Sequence, residues 1–226
     1  MPLYSVKLPN RAEIHVSGDD RRVFLQGLIT QDIELLKTQS LIYSCLLTSN
    51  GKFLFDFFIR EINDIFVIDC EGGDRASALL KKLMHFKLRS KVALELVDDA
   101  NVWQLWGGNY DGDFRDPRFD GWRVYGDNDG DTGNFHVWDE HRIQSEVPDG
   151  SRDLIPEKSF LHESDIITKT AVSYTKGCYM GQELVSRMHH RGLVKKQLKC
   201  VDLRKPLENA ELRSSCGDIG LALVKV

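Results

Sequence analysis

The chain has no pair of cysteines at metal-binding or redox spacing. Its five cysteines, Cys45, Cys70, Cys178, Cys200 and Cys216, are scattered singly. An odd, dispersed set argues against a disulfide framework, and no permanent zinc or iron–sulfur ligand group is expected. A reducing compartment is the simpler expectation. There is no excess of positive charge either. The 30 Lys and Arg stand against 34 Asp and Glu, a formal charge of −4 that gives no support to general nucleic-acid binding. No apolar run approaches membrane-spanning length. The opening residues Met1-Pro2-Leu3-Tyr4 show neither a basic segment leading into an apolar run nor a cleavage site, so the expected location is the cytoplasm. The phosphate loop, the GxSxG nucleophile elbow, HExxH and the EF-hand loop are all missing. There is no internal repeat.

What is present is an ordinary globular composition, 42% hydrophobic over 226 residues, enough to bury a substantial core in one domain or two lobes. Glu13 to Val16 reads as a strand, and Phe24 and Leu28 share one face of a following helix. Ile42 to Leu47 and Phe53 to Ile59 flank Asn50-Gly51, a strong hairpin signal because both residues tolerate positive φ. Asn63-Asp64 marks a second turn before Ile65 to Ile68. Ala76, Leu79, Leu80, Leu83 and Met84 form a helical face, with Asp74 as the expected cap. Val92, Leu94 and Leu96 alternate as in a strand, with Val102 to Trp106 as the expected partner. Hairpins without regular βαβ alternation predict an α+β fold. From Gly107 to Gly133 the chain turns rich in Gly and Asp with embedded aromatics, a linker, mobile loop or functional rim.

The segment Lys176-Gly177-Cys178-Tyr179-Met180-Gly181-Gln182-Glu183 stands out. Two glycines four apart permit close backbone approach or positive φ. Gln182 and Glu183 at a helix start would lie beside free amides. Lys176, if it approaches Cys178, would favour the thiolate. The same pattern also fits a glycine-bounded turn around a small buried thiol. Arg187, His189, His190 and Arg191 follow, suited to an anion or an acidic partner surface, or equally to a solvated helix end. Asp56 interrupts the apolar strand Phe53 to Phe58. It is either aimed at solvent by strand alternation or placed at the edge of an apolar pocket. Asp116, Arg118 and Arg123 form a small polar group, read first as salt bridges that shape the loop.

Lys176 to Glu183 resembles the Lys-Gly-Cys-Tyr-x-Gly-Gln-Glu signature of the YgfZ family, relatives of the glycine-cleavage T protein. Gly18 to Asp32, Leu47 to Asp56, Asp116 to Arg123 and Phe160 to Glu163 resemble further segments of that family. The resemblance implies a T-protein/YgfZ-like folate-binding fold, with mixed α/β lobes around a central opening and a short C-terminal β-domain. The implied division is 1–106 for an N-terminal folate-binding lobe, 107–196 for its second part with the signature, and 197–226 for the β-domain. The implied function is a tetrahydrofolate-binding accessory protein for assembly or repair of iron–sulfur enzymes, linked in the family to tRNA modification. A folate-dependent aminomethyltransferase-like enzyme and a noncatalytic scaffold are the alternatives. Cys178 and Asp56 are the implied chemical groups, with Asp56, Arg118, Arg123, Lys176, Gln182 and Glu183 around a reduced folate and Arg187 to Arg191 toward a partner. Where the T protein has an acid before the position of Asp56, this chain has Phe55. Expected partners are iron–sulfur assembly factors or client enzymes, without direct nucleic-acid or membrane contact.

Overall fold

The computed structural model describes residues 2–128, 130, 133–192 and 194–226. The chain enters as β1 (Tyr4–Lys7), then builds an antiparallel five-stranded sheet from β2 (Arg11–Ser17), β3 (Ile42–Leu47), β4 (Phe53–Ile62), β5 (Ile65–Glu71) and β6 (Ala93–Val97). The spatial order is β3-β4-β5-β2-β6. Between these strands lie α1 (Arg21–Gln26) and α2 (Asp74–Lys87). β7 (Val102–Trp106) and β8 (Gly121–Tyr125) form a second sheet with β1. The short helices α3 (Phe135–Gln144), α4 (Gly150–Asp153), α5 (Asp165–Thr170) and α6 (Gln182–Arg191) follow, and β9 (Lys196–Asp202), β10 (Ala210–Cys216) and β11 (Ile219–Lys225) close the chain as a third sheet.

The turn between β4 and β5 holds its register because its residues accept left-handed backbone. Asn63 and Asp64 both have positive φ (47° and 62°), which suits a tight two-residue hairpin. One face of the large sheet packs on α1 and α2 through Ile14, Phe55, Phe57, Ile68, Leu79 and Leu83. The other face of β3 and β4 packs Tyr43, Cys45, Phe53 and Phe58 against the C-terminal half, including Leu161, Leu221 and Leu223. Burial on both faces explains why all six residues of β3 are buried and why its sequence lacks alternation. At the other edge β6 alternates between exposed and half-buried positions, as a strand covered on one face should.

The α+β expectation holds, with local corrections. Val102 to Trp106 pairs with β1 and β8, not with the strand at Leu94 and Leu96, which adds to β2 instead. Asp74 lies in the first turn of α2, and the capping position belongs to Gly73, with no side-chain cap bond. Met84 is exposed, because Ala76, Leu79 and Leu83 already define the face against the sheet. β10 has a largely polar, exposed sequence at the edge of its sheet and gave no apolar signal. The Gly107–Gly133 stretch contains β8 and an ordered Asp116–Arg118 pair; its residues Asp129, Asp131 and Thr132 lie outside the described residues.

Candidate functional site

A cavity of about 260 Å³ lies where β2, β4 and the end of β5 face α3 and α4. Strand alternation builds its floor. Phe55 and Phe57 point into the core against the helices, while Asp56 and Phe58 line the cavity. Asp56 is therefore not aimed at bulk solvent. Its carboxylate accepts a 2.7 Å hydrogen bond from the Tyr43 hydroxyl on the neighbouring strand. Burial pushes the Asp56 carboxyl above its ordinary range, opposed by the Tyr43 hydrogen bond, Arg11 and Arg118, and reinforced by Asp149. Phe55, which replaces the acid expected from the T protein, lies on the opposite face with the Arg75 guanidinium 4.2 Å from its ring centroid.

The walls are shaped by arginines already committed to carboxylates. Asp69 is fully buried behind the cavity and accepts from Arg11 (2.6 and 2.8 Å) and from Arg123 (2.6 and 3.0 Å), with the Tyr125 hydroxyl at 3.2 Å. Burial alone would raise its carboxyl, but the two guanidiniums outweigh burial and hold it below the usual range. Arg123 gives its remaining donor to Gln104 at 3.2 Å. Arg118 binds Asp116 in bidentate fashion at 3.0 and 2.9 Å. Both guanidiniums lie over Phe58, 4.6 Å and 4.0 Å from its centroid for Arg118 and Arg123. On the far wall, fully buried Arg142 ties Asp139, Asp153, the Val147 carbonyl and Ser214 of β10 together. Phe135 and Trp138 complete an aromatic side.

The cavity thus gathers Asp56, Arg118 and Arg123, three of the residues singled out in the sequence. It also uses Tyr43, Arg11, Asp69 and Arg142, which sequence reasoning missed. Asp69 carried the same signal as Asp56, an acid inside an apolar strand (Ile65 to Cys70). Tyr43 and Arg142 carried none, since their roles come from packing across elements.

Lys176, Cys178, Gln182 and Glu183 do not line this cavity. Cys178 is exposed, and Tyr179 beside it is buried in the core. Lys176 does not serve the thiol. Its ammonium turns inward and donates to the carbonyls of Ile29 (2.9 Å) and Gln31 (2.8 Å). Burial lowers its pKa to about 8, with Asp32 opposing. On α6, Glu183 pairs with Arg187 one turn on, and the His189 ring stacks on Tyr174 at 3.8 Å. His190 and Arg191 are exposed at the helix end.

The two regions share a core through Tyr43, Phe58, Tyr179 and Val185, and they touch backbone to backbone at the hairpin tip. Gly181 has φ +81°, and a Cβ there would stand 2.5 Å from the Thr48 carbonyl oxygen and 3.0 Å from the Gly51 Cα. Gly51, at the tip of the β3–β4 hairpin, has φ +74°, and a Cβ there would meet Leu184 Cβ at 2.8 Å and the Gly181 carbonyl oxygen at 2.9 Å. Only two glycines let these backbones touch. The hairpin that carries Asp56 in its second strand therefore rests its tip on the start of α6.

This arrangement is the fold of the glycine-cleavage T proteins. The aminomethyltransferase T of Bartonella henselae superposes over 99% of this chain and 78% of its own, with a TM-score of 0.73 at 13% identity. In sequence the chain is related to mitochondrial iron–sulfur cluster assembly factors. It is 28% identical to the mouse and human IBA57 factors, over 97% and 96% of this chain and 76% of each of theirs. It is 30% identical to the IBA57 homologue of Coccidioides immitis over 94% of this chain and 60% of that protein. No family model matches the chain. These relatives are mitochondrial, which overturns the cytoplasmic expectation. That expectation rested on unpaired cysteines and the opening residues, and unpaired cysteines do not single out the cytoplasm.

Proposed function

We propose that this chain is an accessory factor for iron–sulfur protein assembly that binds a reduced folate in the Asp56 cavity. The relationship to the IBA57 factors supports the first part. The observation that carries the second is a carboxylate at the wall of an aromatic, arginine-shaped cavity, fixed by the Tyr43 hydrogen bond. At about 260 Å³ the cavity suits a flat bicyclic ring more than a whole folate, whose remainder would extend outward. Asp56 would accept from the amino and ring N–H groups of a pterin. Phe58 and Trp138 would enclose its faces, and Arg118 or Arg152 would face a glutamate carboxylate. Arg123 holds Asp69 and acts by positioning. Isothermal titration with tetrahydrofolate and folinic acid tests this reading. Asp56→Asn is expected to weaken binding at least about tenfold, the scale of one lost charged hydrogen bond. Absence of binding at millimolar ligand would remove the folate assignment.

In this reading Cys178 and the exposed end of α6 face the partner rather than the folate. The thiol is a nucleophile or transient soft-metal ligand offered to assembly factors or client proteins, and the exposed Arg191 guanidinium adds charge to that surface.

A further inference from the structure

One helix of this acidic chain, α2, and the loop after it carry positive charge with no acid among it. Between Asp74 and Glu95 there is no acidic residue, while Arg75, Lys81, Lys82, Lys87, Arg89 and Lys91 lie there. Arg75 pairs with Glu71. The other five make no ion pair among the described residues. The inner face of α2 is taken up by Ala76, Leu79 and Leu83 against the large sheet, so this charge belongs to its outer side and its C-terminal end.

An apolar tip stands within the charge. Leu88 is 88% exposed and Met84, four residues before it, is 55% exposed. Leu88 also has φ +45° and ψ −110°, a backbone region costly for any residue with a Cβ. The loop is pinned on the far side of it. The Ser90 amide donates to the Lys87 carbonyl, the Lys91 amide donates to the Asp20 carboxylate, and the Lys91 carbonyl accepts from the Asp20 amide. The fold therefore holds a leucine outward at a strained position, between Lys87 and Arg89.

We propose that the outer side of α2 with the Leu88 tip is a docking surface for an anionic phospholipid membrane. Protein interfaces concentrate aromatics and arginine and are depleted in lysine. This patch has four lysines, one unpaired arginine and no exposed aromatic, so a protein partner fits it less well. Lysines with flexible stems around an aliphatic tip suit a headgroup layer, where the charge stays at the interface and the leucine enters the acyl boundary. The contact is peripheral, since no helix among the described residues is long and apolar enough to cross a membrane. It departs from the expectation of no membrane partner and is independent of the folate reading.

Co-sedimentation of the whole chain with phosphatidylcholine vesicles, with and without phosphatidylglycerol, tests the proposal. Binding is expected only with phosphatidylglycerol and is expected to fall with added salt. Neutralising Lys81, Lys82, Lys87 and Arg89 to Gln should weaken it by more than about a hundredfold, at roughly fivefold per cation. Leu88→Gly suits the positive φ, so it should keep or raise the melting temperature while weakening vesicle binding about tenfold. Equal binding to neutral vesicles, or no binding to anionic ones at low salt, overturns the proposal. So does wild-type binding by either variant. Polyglutamate binding that competes with vesicles and ignores Leu88→Gly would also overturn it, in favour of an acidic protein partner.

Discussion

The Asp56 cavity and the Lys176–Arg191 segment are joined by one hairpin, Asp56 in its second strand and the segment at its tip, and are built on opposite principles. Around the cavity the arginines are held by carboxylates, with buried Asp69 shared by Arg11 and Arg123, Arg118 on buried Asp116, and buried Arg142 bridging three elements. In the signature segment the Cys178 thiol is exposed and its frame is fixed: Lys176 is buried on two carbonyls, Tyr179 sits in the core, and Gly181 packs against Gly51. The first region is a preorganised enclosure whose arginines cannot move without breaking ion pairs. The second is a rigid mount for an accessible thiol. Difference in burial thus sorts two candidate roles, ligand holding and partner contact, that the sequence placed in one site.

The sharpest way to break that contrast is at Asp69. Replacing it with Asn leaves Arg11 and Arg123 buried without their shared counter-charge. The expected loss is about 3–5 kcal/mol, the scale for removing one partner of a buried ion pair. Urea denaturation reads it, and a change under about 1 kcal/mol would show that the network is solvated rather than closed. Because the native carboxyl is held below its usual range, its contribution is present above the unfolded pKa and disappears as pH falls through the lower folded value. Wild type and Asp69→Asn should therefore converge in stability in acid.

Within the signature, the two glycines should separate cleanly. Gly181→Ala requires left-handed backbone at φ +81° and drives a methyl into the Thr48 carbonyl. The expected cost is about 2–4 kcal/mol from conformation and overpacking together. A methyl group at Gly177 would meet nothing within 4 Å, and Gly177 is not among the positive-φ glycines. Gly177→Ala should stay within about 0.5 kcal/mol. Equal effects at the two positions would mean that Gly181 is not what seats the hairpin tip on α6.

Lys176 gives a pH test of the mount. Its folded pKa of about 8 lies below the ordinary lysine value of 10.5. Between those values the unfolded chain binds the extra proton, so stability rises with pH relative to a variant lacking the amine. Against Lys176→Met, wild type should gain up to about 3 kcal/mol from pH 8 to 10.5, at 1.36 kcal/mol per unit. The comparison with Met is needed because the buried Tyr43 and Cys45, both shifted upward by burial, act in the opposite direction at high pH. No pH-dependent difference between the two proteins would mean that the ammonium is hydrated.

Much of this architecture was legible in local pattern. The β3–β4 hairpin followed from Asn50-Gly51, the β4–β5 turn from Asn63-Asp64, and Asp56 stood out as an acid in an apolar strand. What was not legible depends on pairing across long separations. Sequence adjacency made β7 look like a partner for β6, yet β7 joins β1 from the other end of the lobe. Adjacency likewise placed Lys176 beside Cys178. The turn instead directs the ammonium to Ile29 and Gln31, 147 and 145 residues away in the chain, because a buried cation must find acceptors wherever the fold supplies them. Tyr43 and Arg142 had no sequence signal because their partners, Asp56, Asp153 and Ser214, come from other elements.

The smallest structural effect is expected at Cys178, and it should carry the largest functional one. The thiol is exposed, so a serine hydroxyl there meets water and needs no buried partner. Cys178→Ser should change stability by no more than an ordinary surface substitution, within about 0.5 kcal/mol. Folate titration should also be unchanged, because Cys178 does not line the Asp56 cavity. What the substitution removes is thiolate nucleophilicity and affinity for soft metals. Recovery of iron–sulfur enzyme activity, measured at matched expression in cells lacking the normal protein, should therefore fall while stability and folate binding hold. Full recovery would show that the thiol is dispensable and that the exposed segment acts through its shape and charge alone. Loss of folate binding together with recovery would instead couple the two regions through the Gly51–Gly181 contact and dissolve the division between them.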